Sequence, residues 1–327
     1  MKMIYAFGSY GTGNLGDDAI FEGLCQKYRE FEITQIYACQ PTHSPAVQIS
    51  SLLKDGFANV PEKLIIGGGG LFFGQQYCDN ANSLADLAIS NNIIVEVEAI
   101  GLESSPISCH KSVIELFAKC SKISTRSGES QKIAHDLGYE SVLVHDFAYY
   151  MIPDKEGAER IMQKFDDNLP VIGIATAGGI DNNLDEPIDV VKMLIKEFNV
   201  LHLPHVRHLM SPRNGNEAAK GLIIWSSSGW EEPKLFKRYK CLPYPDSPRI
   251  LLGIYNLISA VVSYRYHPLI FAELSGIPCY ARYGDGRKIP GYFEDHIDTV
   301  FAKDNGYYQT NREIPGNILN YFKAVIL

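Results

Sequence analysis

Short apolar runs rich in β-branched residues alternate along the whole chain with longer segments of helical spacing. No other feature constrains the fold as much, because strands separated by helices pair in parallel and are covered by those helices. In the first half, strands are expected at Ile4–Phe7, Ile33–Ala38, Lys63–Ile66, Ile93–Ile100, Lys122–Thr125 and Val142–His145. Helices are expected at Asp17–Glu30, Ser83–Asn91, His110–Lys119 and Glu129–Leu137. The charged stretch Met151–Pro170 interrupts the rhythm and marks a domain joint. Strands resume at Val171–Thr176, Val200–Pro204, Gly221–Trp225, Ser259–Tyr264 and Ile277–Arg282, with helices at Pro187–Glu197, Ser247–Ile258, Pro268–Ser275 and Pro315–Ala324. Two open α/β domains facing across a cleft would place their strand C-termini, where ligands bind, around that cleft.

A length of 327 residues suits two domains, each with its own core. The net charge of −8 argues against general nucleic-acid binding but leaves room for a small anionic substrate held by a few convergent cations. The 7 cysteines are scattered, with no C-x-x-C, which reads as reduced thiols in a cytoplasmic protein. No signal peptide is expected at the N-terminus, and no apolar run approaches the roughly 18 residues of a membrane span.

The segment FGSYGTGNLGDDAIFEGL (Phe7–Leu24) contains a literal G-x-G-x-x-G at Gly11, Gly13 and Gly16. A dinucleotide fingerprint would need its first glycine almost directly after the strand and an acidic residue closing the second strand. Here Gly8-Ser9-Tyr10 intervenes, and the second strand runs out into Cys39-Gln40-Pro41. Asp17 and Asp18 also occupy the helix mouth, where a pyrophosphate would need a positive field. Two readings remain: a glycine turn capped by Asp17, or a substrate loop in which Asn14, Gly16, Asp17 and Asp18 meet hydroxyls.

A second constellation lies in SAVVSYRYHPLIFAELSGIPCY (Ser259–Tyr280). A buried strand leads into Arg265-Tyr266-His267, and Pro268 suits the start of a helix that Gly276 ends. Arg265 can take a carboxylate or phosphate with two parallel hydrogen bonds, and His267 can transfer a proton near neutral pH. The plainer alternative is that His267 caps the helix while Arg265 pairs with an acid. Arg126, Arg287 and Lys288 also follow strands or occupy glycine-containing loops, and with Arg265 they would build a phosphate-and-carboxylate pocket. Gly69 and Gly70 in LIIGGGGL permit close approach but lack the Lys-Ser/Thr of a P-loop. In HLPHVRH, His205 is a candidate to face the cleft, and no metal site is expected among His202, His205 and His208.

With these motifs in view, the chain resembles the polysaccharide pyruvyl transferases. The resemblance covers most of its length: GSYGTGNLGDDAIFEGL, LIIGGGGLF (Leu64–Phe72), AIGLESS (Ala99–Ser105), KISTRSGESQKIAHDLG (Lys122–Gly138), LVHDFAYYM (Leu143–Met151), VIGIAT, VLHLPH and VVSYRYHPLIFAELSGIPCYA (Val261–Ala281). It implies a GT-B-like arrangement of two Rossmann-like domains, 1–160 on the acceptor side and 161–327 on the phosphoenolpyruvate side, the last helix packing back on the first. The implied activity moves the enolpyruvyl unit of phosphoenolpyruvate onto two hydroxyls of a sugar, with no cofactor, in exopolysaccharide or cell-envelope biosynthesis. Arg126, Arg265, Lys288 and Arg287 would hold the donor, His267 would act as acid, and Asp17 or Asp18 would serve an acceptor hydroxyl. A lipid-linked saccharide acceptor would bring the protein to the inner face of the cell membrane; the basic run Lys234–Lys240 could touch that surface, but a solvated helix face is the favoured reading of it. Two departures stand out: Tyr266 replaces the family's leucine, and Ser127 follows Arg126 in place of an acid. The alternatives are a GT-B glycosyltransferase using a nucleotide sugar, and a glycan-binding relative without catalysis.

Overall fold

The computed structural model describes residues 2–38, 40–42, 44–72, 74–102, 107–177, 185–207, 217–227, 235, 237–282, 288–295, 300–303 and 306–309. The chain divides into two compact units, Met1–Met151 and Ile152–Leu327. The joint therefore falls before residue 160, and the helix Lys155–Ile161 belongs to the second unit, where it packs against the helix Pro248–Tyr255.

Among the described residues the first unit holds a seven-stranded, wholly parallel sheet in the order β3-β2-β1-β4-β5-β6-β7. Its strands are β1 (Met3–Phe7), β2 (Glu32–Tyr37), β3 (Ala46–Gln48), β4 (Lys63–Gly69), β5 (Ile94–Ile100), β6 (Lys122–Thr125) and β7 (Val142–Leu143). Strand alternation sorts the core. Ile4 and Ala6 pack with Ile20, Phe21 and Leu24 of α1 (Leu15–Lys27), whereas Tyr5 and Phe7 join the core on the other face. That second core takes in α2 (Ile49–Asp55), α3 (Gln75–Ser90) and α4 (Ile107–Phe117). Burial on both faces explains why β4 is an apolar run rather than an alternating one. The strand β3 and helix α2 are short elements that the apolar pattern does not announce. Leaving β6, the chain enters α5 (Gly128–Asp136).

The second unit repeats the scheme with β8 (Val171–Ala175), β9 (Asn199–His202), β10 (Tyr239–Cys241), β11 (Ala260–Ser263) and β12 (Cys279–Arg282) in the parallel order β10-β9-β8-β11-β12. Antiparallel β14 (Gly306–Gln309) and β13 (Val300–Lys303) extend the β12 edge. Its helices include α6 (Lys155–Ile161), α7 (Asp185–Leu194), α8 (Glu217–Ser227), α9 (Pro248–Tyr255), α10 (His267–Ser275) and α11 (Lys288–Asp295). The expected strand at Gly221–Trp225 is instead the middle of α8. Lys220, Gly221 and Ile224 are buried while Leu222 is exposed, which is helical periodicity. Gly221 is small because α8 lies close to the sheet: a Cβ there would sit 2.6 Å from His202 Nδ1 and 2.9 Å from Cys241 Sγ.

The strand order reverses between β1 and β4 in the first unit and between β8 and β11 in the second. Doubly wound sheets bind ligands at this point, beyond the strand C-termini. The first glycine motif follows β1, the second closes β4, and Arg265 and His267 follow β11, so both motif sets stand at a switch point. Among the described residues, no helix is long and apolar enough to cross a membrane. The expected helix Pro315–Ala324 lies outside the described residues.

Candidate functional site

At the first switch point the loop after β1 folds back on the sheet. Tyr10 is buried, and its hydroxyl donates to the carbonyl of Gly67. Gly11 adopts a φ of 75°, and a Cβ there would lie 2.0 Å from the carbonyl oxygen of Gln40, so only glycine fits. Its N–H donates to Asp18 Oδ1 at 2.8 Å, which commits that buried carboxylate to shaping the loop. The N-cap of α1 is Asn14, not the expected Asp17: Asn14 Oδ1 accepts from Gly16 N at 3.1 Å. Asp17 lies in the first turn and accepts from Asn14 Nδ2 at 2.8 Å, where the helix dipole favours its charge. The chain that starts a turn early thus gives Asp17 a flanking position rather than a capping one.

Gly69 ends β4 beside this carboxylate, and Gly70 follows it. A Cβ built on Gly69 would stand 3.6 Å from Asp17 Oδ1 and 3.8 Å from Arg126 Nη1. Asp17 and Arg126 therefore both lie beside Gly69. Arg126 is nevertheless deep: its side chain is 5% exposed, and Nη1 donates to Asp146 Oδ2 at 2.6 Å. Asp146, which sequence reasoning passed over, uses Oδ1 to cap the single turn Phe147–Tyr150 through Ala148 N at 2.9 Å. Ser127, which stands where an acid was expected, N-caps α5 by accepting from Ser130 N.

At the second switch point the geometry converges on Arg265. Its Nε donates to Glu217 Oε1 at 2.6 Å and to the carbonyl of Thr176, just beyond β8, at 3.0 Å. Its own backbone is locked to β11, since Arg265 N donates to Ser263 Oγ and that hydroxyl donates to Arg265 O. Among the described residues neither Nη nitrogen makes a hydrogen bond, and the side chain as a whole is 19% exposed. His267 opens α10 with Pro268 behind it, one position earlier than Pro268 alone suggested. The ring of Tyr266 meets it edge-on at 5.4 Å.

His205 is buried, with Nε2 2.8 Å from the Tyr255 hydroxyl and its ring against Phe271. Burial, and then the positive field of Arg265, hold its pKa well below the ordinary histidine value, so it is neutral near pH 7. Its neighbour His202 is likewise pushed down to about 3 by burial, with Nε2 3.2 Å from Thr176 Oγ1. Glu217 and Lys220 are functional candidates that sequence reasoning missed, hidden by reading their segment as leading into a strand. An E-x-x-K pair shares a helix face, and that was the available signal. Lys220 is fully buried, donates to Ala177 O at 2.7 Å, and has its pKa lowered to about 8 by burial. Lys288 is half-buried at the first position of α11; Arg287 and His208 lie outside the described residues. Among the described residues no cluster of metal-ligating side chains forms.

Solved structures share this architecture at low identity. An Anabaena protein, Alr3699/HepE, in complex with UDP-glucose has a TM-score of 0.56 and 12% identity over 88% of this chain and 81% of that one. The Escherichia coli ADP-heptose lps heptosyltransferase II has 0.53 and 11%, over 99% and 98%. A Methanocaldococcus jannaschii UDP-GlcNAc 2-epimerase has 0.52 and 10%, over 85% and 83%. These likenesses place the fold in the GT-B class. No curated protein matches the chain by sequence. The profile of one family, described as polysaccharide pyruvyl transferase, matches residues 14–285, which include Asn14–Asp18, Gly67–Gly70 and Arg265-Tyr266-His267. The chain belongs to the polysaccharide pyruvyl transferase family.

Proposed function

We propose that the protein moves the enolpyruvyl unit of phosphoenolpyruvate onto two hydroxyls of a sugar in a polysaccharide or its precursor, releasing phosphate. The observation that carries this reading is the guanidinium of Arg265, anchored through Nε, with no Nη hydrogen bond among the described residues, one residue before Tyr266 and the start of α10. A carboxylate or phosphate fits such a fork, and the helix N-terminus adds to the positive field. Lys288 would assist at the donor. Arg126 would contribute mainly field, because Asp146 already takes its Nη1.

His267 is the general acid in this scheme. It delivers a proton to the methylene carbon, C2 becomes electrophilic, and the first sugar hydroxyl forms the new C–O bond. The C–O bond to phosphate then breaks with its electron pair leaving on phosphate, and the second hydroxyl closes the ketal. The two hydroxyl protons balance the one gained by the methyl group and the one carried off on phosphate. Asp17 orients or deprotonates an acceptor hydroxyl, while Asp18 keeps the loop in shape. The acceptor is a free or lipid-linked saccharide, the latter handled at the inner membrane face of a cytoplasmic enzyme that needs no cofactor.

The test is phosphate release from phosphoenolpyruvate with an acceptor panel, comparing the wild type with His267→Ala. A loss of about 10²–10⁴-fold is expected for a general acid; an unchanged rate would overturn the role of His267. A second reading, transfer from a nucleotide sugar, draws on the UDP-glucose complex of Alr3699/HepE. Stabilisation against heat by UDP-glucose, and not by phosphoenolpyruvate, would favour it. Binding of phosphoenolpyruvate without turnover on any acceptor would point to a non-catalytic relative.

A further inference from the structure

The carboxylate of Glu217 ties the loops after β9 and β11 together and, through Arg265, reaches the one after β8. Oε2 accepts from His205 N at 2.7 Å and from Val206 N at 3.0 Å, both in the loop after β9. Oε1 accepts from Arg265 Nε at 2.6 Å, in the loop after β11, and the same Nε reaches Thr176 O, after β8. The backbone returns the contact, since Glu217 N donates to Val206 O at 3.1 Å. Glu217 itself is fully buried at the first position of α8. A buried carboxylate is tolerated only when its lone pairs are used, and here both oxygens are. Burial raises the Glu217 pKa, and the Arg265 guanidinium and the two N–H groups pull against that rise.

We propose that Glu217 is a positioning residue: it braces the loops after β8, β9 and β11 and orients the guanidinium of Arg265, so that its two Nη nitrogens face an incoming anion. Gripping Nε fixes the plane of the guanidinium and its rotation about the side chain. An arginine held this way loses little freedom when a phosphate or carboxylate docks. The inference rests on the reading of Arg265 as the anion-binding group.

The experiment is a double-mutant cycle on the full chain with Glu217→Gln, Arg265→Ala and the pair. Phosphoenolpyruvate and UDP-glucose are the probes, read by calorimetric affinity and, where turnover is found, by KM and kcat. Hydrogen exchange at the His205 and Val206 amides reports the brace directly. If Glu217 acts through Arg265, Glu217→Gln weakens binding about tenfold or more, since a fixed charge-assisted contact is lost. It raises KM more than it lowers kcat, and adds little once Arg265 is alanine. Glu217→Asp, which keeps the charge, recovers part of the affinity, and it carries the cycle if the glutamine variant does not fold. Equal affinity in wild type and Glu217→Gln, or additive losses in the pair, would overturn the proposal. Wild type that binds UDP-glucose but not phosphoenolpyruvate would sink the pyruvyl-transfer reading alone, and the cycle is then judged on UDP-glucose. Wild type that binds neither probe would overturn both.

Discussion

Gly101 lies so close to Arg126 that a Cβ on it would stand 2.7 Å from the guanidinium Nε and 2.8 Å from Nη2. The guanidinium is wedged between this backbone and Asp146, and the ion pair is nearly dry. Gly101→Ala should therefore push Arg126 off Asp146, costing about 1–3 kcal/mol as overpacking in a rigid region. Asp146→Ala should cost more, about 3–5 kcal/mol, because it removes the carboxylate partner of a buried charge. Urea unfolding of the two variants checks both the sizes and their order.

A buried carboxylate of the first sheet predicts a dependence on acid. Glu98 is fully buried, 3.1 Å from Lys27 Nζ, 3.4 Å from Lys63 Nζ and 3.7 Å from Lys122 Nζ, and Tyr28 donates to it at 2.5 Å. Burial works to raise its pKa, but hydrogen bonds and the lysines outweigh burial and lower it to about 2 from 4.5. The folded state thus binds the proton less readily than the unfolded chain. The stabilisation, about 2–3 kcal/mol, is complete above the unfolded value and disappears as pH falls through 4.5 toward 2. Glu98→Gln should flatten the acid limb of the stability–pH curve, measured by denaturant midpoints across that range.

Tyr266 replaces a leucine expected from the family resemblance, and the structure gives it work to do. Its ring meets His267 at 5.4 Å and Tyr292 at 5.7 Å, both edge-on, and Tyr292 hydrogen-bonds Glu273 of α10. Tyr266→Leu keeps the backbone between Arg265 and His267 and removes these ring contacts. The expected result is a stability loss of about 1–3 kcal/mol with phosphate release largely retained. Thermal unfolding beside a phosphate-release assay separates the two effects. A rate loss as large as that of His267→Ala would mean that the phenol itself serves the reaction.

What the sequence made legible was local. Apolar runs such as Ile4–Phe7 and Leu64–Ile66 became strands because both faces of a parallel sheet are covered. Arg265 and His267 were found because strand, turn, proline and C-terminal glycine are adjacent in the chain. What stayed hidden depends on partners far apart in sequence. Glu217 lies 48 positions from Arg265, and Asp146 lies 20 from Arg126. Gly221–Trp225 fits a buried strand as well as a buried helix, and that ambiguity also concealed Lys220. Asn14 and Asp17 are both good caps, so only the place where the glycine turn ends decides between them.

Lys220 supplies a last, alkaline prediction. Its amine is buried against Ala177 O, and the charges of Glu217 and Arg265 act on it. Burial lowers its pKa to about 8 from 10.5; Glu217 works to raise it, and Arg265 adds to the lowering. Between those values the unfolded chain holds the proton that the folded protein has released. Stability should therefore rise with pH from about 8 to 10.5 by about 1–3 kcal/mol relative to a protein without this amine. Lys220→Met fills similar volume without a titrating group, so the difference between its stability and that of the wild type should change across that interval. A constant difference from pH 7 to 11, measured by urea denaturation, would show that the amine titrates normally and that the pocket around it admits water.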